Sequence, residues 1–328
     1  MPYASGLNSS QFSAIEPDER HVFLYSAALR MNSVPEDTVV KLSVKSTDSV
    51  GDFVKQALSP DLQSIDRQIG QELFVNTREA RHIRSGRRGN MLCYKTPGGR
   101  YSPLYYDMAQ QPHLLISGMT ESGKSVVIHG ILHALLTMHS PTTARLVLVD
   151  PHIVELAQYQ GLPHALAYTN NPMEFASVLR RVLDILIERY HTMSARSSRQ
   201  YDGAHMYVVI DELGDMEAAQ RKEVQPILQQ ILRNGRAARI HVIAATKYRL
   251  SDVMPAIAKI NFVARVGLHT KSVLDSIAMI DTGGCETLPV GEGIYVRPEG
   301  RDRCTLPMIP ESEIGRLISY WTSPQCMS

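Results

Sequence analysis

Gly118, Met119, Thr120, Glu121, Ser122, Gly123, Lys124, Ser125 and Val126 place four residues between two glycines and follow the second glycine at once with a lysine and a hydroxyl. That is the GxxxxGK[ST] spacing. Glycine at both positions lets the backbone curl its N–H groups around a polyphosphate. The following helix adds its positive dipole end, Lys124 reaches the outer phosphates, and the Ser125 hydroxyl can ligate magnesium. The chemistry implied is binding of ATP with Mg2+.

Hydrolysis needs acids downstream of such a loop. Asp211 and Glu212 close the apolar run Met206 to Ile210, where Asp211 can hold the magnesium shell and Glu212 can polarise the attacking water. Thr246 ends a second apolar run beginning at Ile240. If the strand order follows nucleotide-binding ATPases, it lies beside Asp211 and can sense the outer phosphate. Arg233, Arg236 and Arg239 recur every third residue at a helix end. Cations there complement the dipole, while an arginine offered to a neighbour's nucleotide is the sharper alternative, because a guanidinium bridges phosphate oxygens. His129 and His133 lie one turn apart without the glutamate of HExxH, so we read them as core or surface histidines. The arginine run from Arg78 to Arg88 reads as a solvated face or linker before it reads as a nucleic-acid contact.

These groups need strand ends to stand on. Leu114 to Ser117 before the loop and Val126 to Met138 behind it read as a buried strand and an apolar helix. Arg145–Val149, Met206–Ile210, Ile240–Ala244 and Asn261–Leu268 read as further strands. A helix with an apolar stripe from Phe175 to Tyr190, announced by Asn171 and Pro172, and another from about Glu217 to Arg236 alternate with them. The Gly-rich stretch Asp281–Tyr295 is expected to complete the sheet edge. This alternation predicts an α/β fold with a mostly parallel sheet covered on both faces. Upstream, the alternating Thr38–Ser46 and the helical spacing over Ser49–Leu58 suggest a small N-terminal α/β appendage. The division expected is 1–104 for the small domain and linker, 105–322 for the ATPase domain and 323–328 for a tail.

With 328 residues and 44% hydrophobic content the chain can bury a sizeable core, and a formal charge of +1 offers no global field for a polyanion. Cysteines at 93, 285, 304 and 326 form no CxxC pair, which indicates neither a zinc site nor a disulfide framework and fits a reducing cytoplasm. No membrane-spanning run and no leader pattern are read in the sequence.

From about Pro112 to Tyr295 the chain resembles the motor domain of the FtsK/SpoIIIE proteins of the FtsK/HerA superfamily. The likeness rests on PHLLISG before the loop, VDPHIVELAQYQGLPH, ERYHTMS, VVIDELGD, RNGRAARIHVIAAT and GCETLPVGEGIY, in that order. It implies a RecA-like P-loop NTPase core, an ATPase that drives double-stranded DNA through a hexameric ring, and Arg236 as the finger reaching a neighbour's ATP. Compact relatives of this kind serve plasmids, integrative elements and viruses. Rival readings are a secretion or conjugation coupling ATPase, a packaging ATPase, or a non-motor ATP-dependent switch. The family's arrangement puts DNA-facing loops after the strands ending near Thr246 and Leu268, which makes Arg249 and Lys271 the expected DNA contacts. Several positions depart from the family: its lysine after Asp-Pro is His152, its glutamine after the sensor threonine is Lys247, and the Arg-Pro that follows is Tyr248 and Arg249.

Overall fold

The computed structural model describes the strands at 39–43, 72–76, 90–95 and 102–106, and residues 107–323 apart from 109, 216–217, 250–258 and 307. The expected helical stretch at Ser49–Leu58, the arginine run and most of the tail lie outside the described residues. We number the elements in chain order: β1 (Val39–Ser43), β2 (Glu72–Asn76), β3 (Asn90–Lys95), β4 (Ser102–Tyr106), β5 (Leu114–Ser117), α1 (Lys124–Met138), β6 (Ala144–Val149), β7 (Ala165–Thr169), α2 (Phe175–Ala195), β8 (His205–Ile210), α3 (Ala218–Asn234), β9 (Ile240–Thr246), β10 (Ala264–Gly267), α4 (Val273–Ile280), β11 (Glu292–Arg297), β12 (Gly300–Thr305) and α5 (Glu311–Trp321).

One 10-stranded sheet runs β4-β3-β12-β11-β10-β5-β9-β8-β6-β7, and β1 pairs with β2 in a separate two-stranded sheet. From β10 to β7 every pairing is parallel, and from β10 to β4 every pairing is antiparallel. The parallel strands read as continuous apolar runs because helices cover both faces. Side-chain alternation sorts them cleanly. Leu114, Ile116, Leu146, Leu148, Tyr207, Val209, Ile243 and Ala245 pack with α1 and α5, while Leu115, Val147, Val149, Val208, Ile210, Val242 and Ala244 pack with α2 and α3. Period two in the strands thus makes two cores from one sheet.

Local signals account for the helices. Asn171 Oδ1 accepts from Met173 N–H at 3.1 Å and Pro172 opens the 3-10 turn that leads into α2, a side-chain cap followed by a residue with no N–H to lose. The apolar stripe of α2 expected from the sequence fails at Ile187 and Tyr190, which are exposed, although Met193 further on is buried. The last turns instead bury Arg189, whose Nη1 donates to Ala238 O at 2.7 Å. At the other end of the chain α5 leans on α1, and Trp321 Nε1 donates to Leu136 O at 2.9 Å.

The antiparallel flank extends the sheet past the stretch expected to be its edge. β11 is interior, between β10 and β12, and the sheet continues through β3 and β4. Thr305 of β12 pairs with Tyr94 of β3, so residues on the N-terminal side of position 104 belong to the same sheet as the phosphate loop.

Candidate functional site

The phosphate loop leaves the C-terminal end of β5 between two parallel neighbours, the place where open α/β sheets bind ligands. Its start is pinned from both sides: Gly118 N–H donates to Thr246 O at 3.2 Å and Met119 N–H to His269 O at 3.0 Å. Glu121 at φ 65° and Gly123 at φ 100° take left-handed backbone, the conformation that lets N–H groups face a common anion. A Cβ on Gly118 would stand 2.5 Å from Ser122 Oγ and 2.7 Å from Leu268 Cβ, so only glycine fits there. No side chain caps α1 and its first turn carries no acid, which leaves orphan N–H groups and the positive dipole end for an anion. The buried hydroxyls of Ser117 and Ser122 have no protein hydrogen-bond partner. Lys124 Nζ donates to Gly118 O at 3.1 Å and to Met119 O at 3.0 Å, which holds the ammonium over the loop. Burial lowers its pKa while Glu212 and Asp211 oppose that shift. These features fit a triphosphate.

The acids stand on the next strands. Asp211 follows β8, and its N–H donates to Val149 O at 3.0 Å, which sets it beside the end of β6. Its carboxyl is pushed up to about 6, first by burial and then by Glu155 and Asp150. Magnesium keeps several of its own waters and takes few protein ligands. Ser125 in the first turn of α1 and Asp211 at the end of β8 suit that demand. Among the described residues, no group of three or more His, Cys, Asp or Glu is arranged to hold a metal.

Glu212 is buried and fixed at both oxygens. Gly214 N–H donates to Oε1 and Lys247 N–H to Oε2, each at 3.0 Å. Burial raises its pKa, and those N–H groups with the Thr246 hydroxyl pull it back only in part. Thr246 is fully buried and also accepts from Tyr248 N–H at 3.1 Å. The expected base and the expected sensor therefore share a hydrogen bond.

Not all expected residues converge. Arg236 is exposed in the turn between α3 and β9, at the N-terminal end of a seven-residue strand. That is about 20 Å from Thr246 at roughly 3.3 Å per residue. Arg239 is turned to Asp202 O and Gly203 O, at 3.2 and 3.1 Å. Arg249 and Lys271, expected on DNA-facing loops, line a cavity of about 330 Å³ together with Met119 and Thr120 of the phosphate loop. Arg249 is paired there with Asp275 through Nε at 3.0 Å and Nη2 at 2.9 Å. His129 bonds Tyr159 Oη at 2.9 Å and Glu155 Oε2 at 3.1 Å, and His133 is buried.

Three acids at the site had no role in the sequence reading. Asp150 is fully buried, with Oδ2 accepting from Leu156 N–H at 2.9 Å and Oδ1 without a protein partner. Glu155 orients His129. Asp215 accepts from both His152 and Lys247. Asp150 shares the strand-end position of Asp211 after an apolar run, which is the signal that could have found it.

The FtsK/SpoIIIE family model matches residues 86–207. This is an FtsK/SpoIIIE-like ATPase. The DNA translocase FtsK of Clostridium acetobutylicum is 30% identical over 328 residues, covering 92% of this chain and 39% of that protein. That of Pseudomonas aeruginosa is 30% identical over 269 residues, covering 68% and 32%. The chain thus spans a third or somewhat more of the length of these relatives. Among solved structures, the FtsK/SpoIIIE-like fold is shared by the pCW3 conjugation coupling protein TcpA, with TM-score 0.60, 16% identity and coverage of 92% of this chain and 99% of that one. It is shared also by EssC (ATPases 2 and 3) of Geobacillus thermodenitrificans, with TM-score 0.61, 15% identity and coverage of 71% and 50%. These neighbours show the RecA-like P-loop architecture of the FtsK/SpoIIIE-like core.

Proposed function

We propose that this chain hydrolyses ATP to move double-stranded DNA, working in the cytoplasm as a ring of identical subunits, six in the arrangement the resemblance implies. The observation that carries this reading is the meeting of Lys124, Asp211, Glu212 and Thr246 at the ends of adjacent parallel strands, in a chain whose curated relatives are named DNA translocases.

In this reading the loop N–H groups and Lys124 hold the phosphates. Ser125 and Asp211 hold magnesium, which when bound neutralises charge spread over the phosphate oxygens. Glu212, locked by Gly214, Lys247 and Thr246, takes a proton from water at a fixed position, and its burial raises its affinity for that proton. Thr246 donates its single hydroxyl proton to Glu212 and would have to release it to meet the outer phosphate. Arg236 lies too far from its own loop to join these groups and is directed at a neighbour's.

The DNA grip falls to Arg249 and Lys271. Both border the cavity beside Met119 and Thr120, so a phosphate of the duplex drawn there would be felt at the nucleotide. Duplex DNA should raise ATP turnover several-fold over the DNA-free rate. Affinity for random duplex should fall with salt, and the double variant R249A/K271A should lower the log–log salt slope by up to about two units, since each neutralised phosphate contributes roughly 0.9. Turnover indifferent to duplex DNA, with no binding at low salt in the presence of an ATP analogue, would remove DNA movement from the assignment and leave the ATPase.

A further inference from the structure

Lys247 stands between the phosphate loop and a carboxylate. Its Nζ donates to Asp215 Oδ2 at 2.8 Å, while its side chain lines the cavity that includes Met119 and Thr120. The backbone at this point is fixed, since Lys247 N–H is committed to Glu212 Oε2 at 3.0 Å. A pinned backbone with a four-carbon stem gives an ammonium that can swing while its anchor stays in register with the base. Electrostatically Lys247 and Asp215 already bear on Lys124, each with its own sign.

The same Asp215 oxygen has a second partner. His152 Nε2, on the loop after β6, lies 2.8 Å from Oδ2. One oxygen therefore serves nitrogen donors arriving from the ends of β6 and β9. The Asp215 side chain is only 19% exposed, and a shielded carboxylate stripped of every donor is strongly disfavoured. With two donors in place, one can leave. Two of the positions at which this sequence departs from the FtsK/SpoIIIE pattern, His152 and Lys247, thus meet on one atom.

The geometry points to Lys247 as the residue that separates a nucleoside triphosphate from a diphosphate: its ammonium exchanges between Asp215 and the outermost phosphate. His152 is a positioning residue in this exchange, keeping Asp215 paired when Lys247 turns away. The inference rests on the phosphate loop holding a nucleotide, and it goes beyond that reading by naming what recognises the third phosphate.

Equilibrium binding of Mg-ATPγS and Mg-ADP to the full chain tests it. Lys247→Ala should weaken ATPγS by roughly tenfold to a hundredfold, the range for a hydrogen bond to a charged group, and leave ADP affinity within about twofold. Lys247→Gln, which keeps a donor without the charge, should fall between. His152→Ala should weaken ATPγS only while Lys247 is present, and should add nothing in the Lys247→Ala background. Retained ADP binding certifies the fold of each variant. A structural role for Lys247 would move both nucleotides together and make the two substitutions additive, and either result overturns the inference. If the unaltered chain binds neither nucleotide, or if Lys124→Ala leaves both affinities intact, the phosphate-loop reading fails first and takes this one with it.

Discussion

Two neighbouring carboxylates at the end of β8 are held in opposite ways, and that difference assigns their work. Glu212 is tied by N–H groups at both oxygens and by the Thr246 hydroxyl, so in the proposed reaction it acts as base from one position. Removing its charge without its shape should keep nucleotide binding and lower turnover by roughly a hundredfold or more, the scale of losing a general base. Single-turnover kinetics of Glu212→Gln checks this, and a rate within about threefold of the parent would exclude the role. Among the described residues no such net of donors holds Asp211. Burial and its acidic neighbours push it up to about 6, above its ordinary value near 3.8. The folded state therefore holds this proton more tightly than the unfolded chain, and stability falls as pH rises through the interval from about 4 to about 6. Asp211→Asn should then stabilise the protein at neutral pH, by on the order of 2 kcal/mol, while abolishing magnesium-dependent turnover. Thermal unfolding at pH 7.5 reads the first effect, and an unchanged or lowered midpoint would show that Asp211 carries no stored strain.

At the opposite end of the same strands the elements are joined by histidines. His241 Nδ1 lies 3.1 Å from Pro112 O, a carbonyl that can only accept, so Nδ1 carries the proton. Its Nε2 must then accept from His205 Nδ1–H at 2.9 Å, and the two rings stack with centroids 5.1 Å apart. Burial lowers His113, His139 and His205 to about 4, with Arg239 and Arg189 adding to the effect at His205. His241 is lowered well below the ordinary range, chiefly by burial, with His205, His113 and Arg189 assisting and the Pro112 carbonyl opposing. His164 is lowered too, by burial and Arg145 against its bond to His139. Each is neutral in the fold and takes up a proton on unfolding. Stability is complete above about 6.5 and is lost as pH falls below it. The urea midpoint should therefore drop from pH 7.5 to pH 5.0, and the unfolding free energy with it by several kcal/mol in aggregate, outweighing the opposite trend of Asp211 and Glu212. A midpoint that holds or rises at pH 5.0 would mean these rings are solvated.

Little of that layer was legible in the sequence. His113, His205 and His241 are far apart along the chain and meet only because β5, β8 and β9 lie side by side. By contrast the loop, Asp211, Glu212 and Thr246 were readable, because each closes an apolar run and parallel strands place all run ends on one side. Asp215 escaped for the same reason as the histidines. Its partners His152 and Lys247 come from other strand ends, and no spacing along the chain announces a shared oxygen. The antiparallel flank was also missed: β12 pairs with β3 across more than two hundred residues, and no local pattern encodes that.

For the whole molecule the decisive fact is the polarity of β9. Thr246 sits at its phosphate-loop end and Arg236 just before its other end, so one chain presents an arginine on the side away from its own nucleotide site. Subunits joined head to tail would bring one copy's Arg236 toward the next copy's loop, and such heterologous contacts make a ring where the rotation between copies closes. Mixing two inactive variants tests this directly. Lys124→Ala lacks a working loop but keeps Arg236, and Arg236→Ala keeps its loop but lacks the arginine. Where the intact loop of one faces the intact arginine of the other, a complete site is restored. In an equal random mixture roughly a quarter of junctions have that composition. Mixed protein should therefore hydrolyse ATP faster than the sum of the two variants measured alone, with the gain peaking near equal proportions and vanishing when either variant is in large excess. If Arg236 served its own subunit, every chain in the mixture would lack one essential group. Activity would then stay at the sum of the parts at every ratio, and the arginine would have to be withdrawn from the neighbour's site.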